Sequence, residues 1–163
     1  MEAARAWRDA ARSDPAGAER VRPARPDEAA RLADFEQSMQ GIRRQGDHEF
    51  FLRNEVGSWQ TLVLDGPSGE LEGFLTCNNH SFLNILGPGV ACDEAAATAL
   101  LWRALDSQRG RKPIFLLPCA AAGLVRTAYR WKARNIELHA AQILGPAPQT
   151  RGVVFATYLP ESA

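Results

Sequence analysis

The sequence predicts an α/β (α+β) chain with a mixed, mostly antiparallel sheet. Its element order is β-α-α-β-β-β-α-β-α-β-β, about six to seven strands with about four helices. Three observations predict it. Trp59–Asp65 and Leu71–Asn78 are strand-like runs on either side of Gly66-Pro67-Ser68-Gly69, the composition of a hairpin turn. Two stretches of helical spacing in the second half each lie between strand-like runs, so both cross over between strands. Between hairpin and crossovers, Leu83–Leu101 reads as an apolar strand, a Gly-Pro-Gly turn, an acidic helix start and an alanine-rich helix. A strand entering a helix N-terminus is a natural anion site, because the first backbone N–H groups of a helix have no internal partner.

At 163 residues the chain is long enough to bury a core without disulfide or metal support. Nineteen basic and nineteen acidic residues cancel, so no global field favours nucleic acid or an anionic membrane. Cys77, Cys92 and Cys119 form an odd set without C-x-x-C spacing, and His48, His80 and His139 are scattered; neither group implies a metal site. These thiols fit a reducing, cytoplasmic setting. No apolar run reaches the roughly 20 residues that span a bilayer, and the N-terminus has no signal-type apolar region.

Along the chain, residues 1–19 mix Ala, Arg and alternating charges up to Pro15 and Gly17, the pattern of a tail or linker before a domain over 20–163. Val21–Ala24 predicts a strand, and Pro26-Asp27-Glu28 opens a helix that runs toward Met39 and stops at Gly41. Residues 42–57 are polar around Phe50-Phe51-Leu52, which predicts a shorter helix packing through that apolar knot. Asn79-His80-Ser81 then turns the hairpin into Phe82–Leu86, the third strand of a meander. Asp93 is a suitable N-cap for a helix to about Gln108, ended by Gly110 among cations. Pro113–Pro118 reads as a strand buried on both faces. A helix over about Ala120–Ala133 places Ala121, Leu124, Val125 and Ala128 on one face. Ile136–Leu144 and Val153–Leu159 close the chain as strands.

This order resembles the GNAT superfamily of acetyl-coenzyme A-dependent N-acyltransferases over residues 20–163. The residues that carry the resemblance are VRPARPDEAARLADF, GPGVA followed by Asp93, RGRKPIFLLP, and LVRTAYRWKARNIELHAAQ. The last is similar to a bacterial subgroup whose late helix ends Tyr-x-Trp-Gly-Ala-Arg-Asn before Glu-x-His. Here those positions are Tyr129, Trp131, Lys132, Ala133, Arg134, Asn135, Glu137 and His139, and Lys132 stands where the pattern has Gly. The resemblance implies a GNAT fold with acetyl-CoA as co-substrate between the fourth and fifth strands. Its pyrophosphate would lie on a Gln/Arg-x-x-Gly-x-Gly/Ala loop. Aligned on the helix, only Ala97 agrees with that loop; aligned on the glycines, Gly87 and Gly89 agree. The implied cofactor-binding residues are Ile85, Leu86, Gly87, Gly89, Val90, Ala91 and Ala97.

The resemblance implies an N-acetyltransferase acting on a small-molecule or peptide amine, with Tyr129 as general acid toward the leaving thiolate. A phenol with a pKa near 10 suits that transfer, whereas a half-buried tyrosine sealing helix to sheet is the plain alternative. Glu137, His80 and His139 are the base candidates, with Glu137 and His139 on one strand face. Gly87-Pro88-Gly89 also reads simply as a tight turn. Cys119 reads as a buried structural thiol, Arg109-Arg111-Lys112 as a solvated helix end, and Trp102 and Trp131 as packing residues. A non-catalytic GNAT-like scaffold or sensor, a homodimer and a tandem partner domain complete the expectations.

Overall fold

Val63, Phe74 and Val90 stand in one row across three neighbouring strands, paired Val63↔Phe74 and Phe74↔Val90. Side chains alternate across a strand, so the residues between them face the other way. The computed structural model, which describes residues 14–80, 84–146 and 149–157, builds two cores from that alternation. The strands β1 (Val21–Pro23), β2 (Trp59–Asp65), β3 (Leu71–Asn79), β4 (Asn84–Ala91) and β5 (Ile114–Phe115) lie side by side in that order, and β6 (Val153–Phe155) also pairs with β4. Every pairing is antiparallel except β4–β5.

Helices α1 (Ala29–Gln40) and α2 (Gln45–Arg53) belong to the face of Val63, Phe74 and Val90, where Leu32 packs with Phe35, Met39 and Leu52. Helix α3 (Glu94–Ser107) covers the opposite face, bringing Ala97, Leu100, Leu101 and Trp102 onto Leu62, Leu64, Leu75 and Leu86. Leu100 and Leu101 are fully buried, each worth about 2 kcal/mol. Asp93 is the N-cap, its Oδ1 accepting from Ala96 N–H at 2.8 Å. Helix α4 (Ala122–Arg130) adds Leu124 to this core, and Trp131 just beyond it meets Trp102 with ring centroids 5.2 Å apart. Ala18 is buried in the same core, so the chain has joined the domain before the strand β1.

The sequence and the structure differ in six places. Gly87-Pro88-Gly89 is no turn: β4 runs through it as a bulge, with Leu86 opposite Cys77, Gly89 opposite Leu75, and two residues facing Thr76. A bulge is where a sheet tolerates a proline, and Gly87, at φ 145 with the cis bond to Pro88, sits where a Cβ would strike Ala156 O. The strand over Pro113–Pro118 shrinks to two half-buried residues, because β5 ends the sheet and pairs only through Ile85↔Ile114 and Leu86↔Phe115. Ile136–Leu144 forms no strand and lies exposed, since alternation gives capacity to pair but not a partner. Helix α2 packs through only part of the apolar knot: Leu52 joins the core with buried His48 and Phe51 meets Trp59, while Phe50 is exposed, because consecutive helical residues cannot all face one core. Cys119 is exposed, whereas Cys77 is the buried thiol, pushed up to about 12 by burial. The last strand keeps only Val153–Phe155 of its described part.

Several expectations fall outside the described residues: the tail over 1–13, Ser81–Leu83 at the start of the third meander strand, and Tyr158–Leu159. No described helix is long and apolar enough to cross a membrane.

One ionic network ties the first elements to the sheet. Glu28 is 2% exposed and accepts from Arg22 and Arg31, at 2.8 and 2.9 Å, and from Arg25 N–H at 2.7 Å. Arg22 and Arg31 each also reach Asp65 at 2.8 Å. The hydrogen bond from Arg22 outweighs the cost of burial and holds the Glu28 carboxyl down at about 2. A depressed folded-state pKa gives stability present above the unfolded value near 4.5 and lost as pH falls toward 2. We expect Glu28→Gln to remove about 3 kcal/mol from denaturant-measured stability at pH 7, with the gap to wild type closing between about pH 4.5 and 2. A gap that stays constant over that window would show the network to be energetically idle.

Candidate functional site

Strands β4 and β5 run parallel, and each leads into a helix. In a sheet containing such a pair, the crevice beyond the carboxyl ends is where ligands commonly sit. A cavity of about 400 Å³ lies there, lined by Asp93 and Glu94 at the start of α3, Pro118 and Ala121 before α4, and Gly152 and Val153 entering β6. Two helix N-termini therefore meet at one cavity, which concentrates positive dipole ends and unpaired N–H groups.

The chain meets those ends with its own carboxylates. Asp93 Oδ1 accepts from Ala96 N–H, and its carbonyl accepts from Ala97 N–H at 3.0 Å. Glu94, in the first turn of α3, reaches across to the other helix, and its Oε2 accepts from Leu124 N–H at 2.7 Å. Gly123 makes that approach feasible: a Cβ there would collide with Glu94 Oε2. Glu94 is thus at once an acid at the positive end of α3 and the cap of α4. The sequence showed an acid at this place but not its partner, because the contact joins residues 30 apart.

The outer edge of β4 is also taken. Ile85 and Leu86 pair with β5, then beyond the bulge Gly89, Val90 and Ala91 pair with Phe155, Val154 and Val153 of β6. All six of the sequence-predicted β4 positions (Ile85, Leu86, Gly87, Gly89, Val90, Ala91) are buried, and so is Ala97, whose N–H is spent inside α3. The structure brings these seven together as strand and facing helix.

It does not gather the proposed proton-transfer residues beside them. Tyr129 is 50% exposed near the end of α4, roughly 10 Å along the helix from the cavity end. Glu137 lies in the exposed segment after α4, where its Oε1 meets His139 Nε2 at 2.9 Å. His80 is exposed at the end of β3, its N–H donating to Asn78 Oδ1 at 2.9 Å. Arg109 and Arg111 sit beyond the opposite end of α3, a helix of 14 residues and so about 20 Å away; Arg109 pairs with Asp106 and Arg111 donates to Asn79 O. No group of three metal-type ligands occurs among the described residues.

A second polar cluster went unseen in the sequence. Glu36 is fully buried; its Oε1 accepts from Gln40 at 2.7 Å and from Arg44, and its Oε2 faces His48 Nε2 at 3.1 Å. Burial alone would raise this carboxyl, but His48 and Arg44 outweigh it and hold it below its ordinary value. The His48 ring stands edge-on to Phe74 at 5.0 Å, so the cluster fastens α1 and α2 to the sheet. No protein-family model, curated protein or solved structure matches the chain.

The Glu94–Gly123 contact makes a signed prediction. Gly123→Ala alone costs about 1–3 kcal/mol, because the new methyl group dislodges the carboxylate from Leu124 N–H. In a Glu94→Ala background the same change becomes neutral or stabilises by up to about 1 kcal/mol, since alanine is the better helix former. Equal costs in both backgrounds, measured by urea unfolding, would refute the contact.

Proposed function

We propose that this chain is a non-catalytic interaction domain on a GNAT-like frame. The observation that carries this reading is the Glu94 carboxylate between the N-termini of α3 and α4. A helix start recruits an anion through free N–H groups and its dipole, and here a side chain of the protein serves that need. An acyl-CoA pyrophosphate does not fit this arrangement. It would meet two carboxylates at the cavity, and the β4 edge beside which the ligand would lie is hydrogen-bonded to β6. Like charges repel in a partly enclosed site.

A specific observation favours a second reading. The cavity occupies the carboxyl ends of the parallel pair β4–β5, the place where a sheet of this kind takes a small molecule. On that reading the chain is an N-acetyltransferase that moves an acetyl group from acetyl-CoA to a primary amine, with Tyr129 as proton donor and Glu137 as proton acceptor.

Thermal denaturation with millimolar acetyl-CoA separates the two. A ligand at a hundredfold its Kd adds about 2.7 kcal/mol, a shift of several degrees for a domain of this size. The interaction-domain reading expects no shift and no thiol release with an amine panel. A clear shift accompanied by turnover would overturn it. In that event Tyr129→Phe should slow turnover about a hundredfold or more while changing stability by under about 0.5 kcal/mol, as expected for an exposed side chain.

A further inference from the structure

The charges that cancel over the whole chain do not cancel locally. Residues 94–135, which hold α3, β5 and α4, carry eight cations and two carboxylates, and the rest of the chain carries eleven and seventeen. Both carboxylates of that stretch are engaged within it. Glu94 accepts from Leu124 N–H and Asp106 from Arg109 Nε, each at 2.7 Å. Helices α3 and α4 share one core on one face of the sheet, so the positive excess sits on that side of the domain.

Local geometry gathers the excess further. Glu94 meets Leu124 at the two helix starts, and Trp102 meets Trp131 eight and seven residues later, so α3 and α4 run side by side in the same direction. Arg109, Arg111 and Lys112 follow the end of α3, and Lys132 and Arg134 follow the end of α4. Helix α3 continues roughly 8 Å past Trp102, within the distance of about 10 Å over which charges act on each other in 0.1 M salt. On α4, Leu124 and Ala128 face the core, which turns Arg126, Tyr129 and Arg130 outward. Tyr129 is 50% exposed, with exposed Arg126 one turn before it and exposed Arg130, Lys132 and Arg134 after it. The helix dipole accounts for a cation in the last turn, Arg130, but not for Arg126 in the middle or for Lys132 and Arg134 beyond the end. Among the described residues, Arg126, Lys132 and Arg134 make no ion pair.

We propose that the outer face of α4, with the cations that follow α3 and α4, binds a single-stranded nucleic acid, the arginines holding phosphates and Tyr129 stacking on a base. Six of the eight cations are arginine, whose planar fork meets phosphate oxygens in pairs where lysine offers a point charge. The exposed ring among them supplies a face on which an unpaired base stacks. An acidic protein segment has no base to place there, and a duplex keeps its bases stacked on one another. The proposal rests on the interaction-domain reading and names its partner, but binding is measured without acetyl-CoA. No acetyl-CoA shift and no bound oligonucleotide removes this proposal alone. An acetyl-CoA shift with the oligonucleotide still bound removes the domain reading alone.

The test is the fluorescence anisotropy of a labelled oligothymidylate of about ten nucleotides, titrated with the full chain at two salt concentrations. Wild type should bind with a Kd of about 10 μM or below at about 50 mM salt, and roughly fiftyfold more weakly at about 200 mM, as about four phosphates are neutralised. Arg126→Ala should flatten the salt slope by about 0.7. Tyr129→Leu should weaken binding about tenfold or more with the slope unchanged, and Tyr129→Phe should bind like wild type, because only the ring is needed. Arg53→Ala, at a 64% exposed cation on α2 across the sheet, should bind like wild type. No binding at the lower salt, a Tyr129→Leu variant as tight as wild type, or equal competition by polyglutamate or by a duplex of the same length would each overturn the proposal.

Discussion

Pro88 has no amide proton to give a sheet, yet it lies in the middle of β4, the strand that holds the two halves of the domain together. The molecule accommodates it with a bulge opposite Thr76. The two outer strands depend on that choice. Before the bulge the outer edge of β4 carries β5; after it, the same edge carries β6. One strand thereby has two outer partners, and the cavity at the start of α3 lies between the start of β6 and the turn that leads into α4. Pro88 and its neighbouring glycines shape a strand rather than a turn. The helix that follows still begins at Asp93, so the junction keeps its place in the fold while its geometry changes.

Carboxylates do the remaining fastening. Buried Glu28 and Glu36 hold their charge against desolvation by accepting from arginine, histidine or backbone donors, and half-buried Glu94 accepts from a helix start. Glu28 ties Arg22 of β1 and Arg31 of α1 together, and Glu36 gathers Arg44 and His48 from the α1–α2 pair. Glu94 joins α3 to α4. Removing one partner from such a pair leaves a charge without compensation, which costs more than the pair itself contributes. At the cavity the donors are Ala96 N–H and Leu124 N–H, and an N–H taken by a carboxylate of the chain is not available to an anion.

Much of this architecture was legible before any coordinates. The strand-like runs Trp59–Asp65 and Leu71–Asn78 on either side of Gly66-Pro67-Ser68-Gly69 specified the hairpin, because turn chemistry acts within a few residues. Pro26-Asp27-Glu28, Gly41 and Asp93 marked helix boundaries through local dihedral and capping preferences, which act within a few residues. The candidate junction at Leu83–Leu101 was placed by the same local signals. What the sequence could not determine was non-local. It could not say that Gly87-Pro88-Gly89 would bulge instead of turning, because that depends on Leu75 and Cys77 across the ladder. Nor could it say that Glu94 would cap Leu124, that His48 would find Glu36, or that the strand pattern of Ile136–Leu144 would form no strand. Capacity to form a strand or a helix is written in neighbouring residues; which donor, edge or cavity meets it is decided only when distant segments compete for the same space.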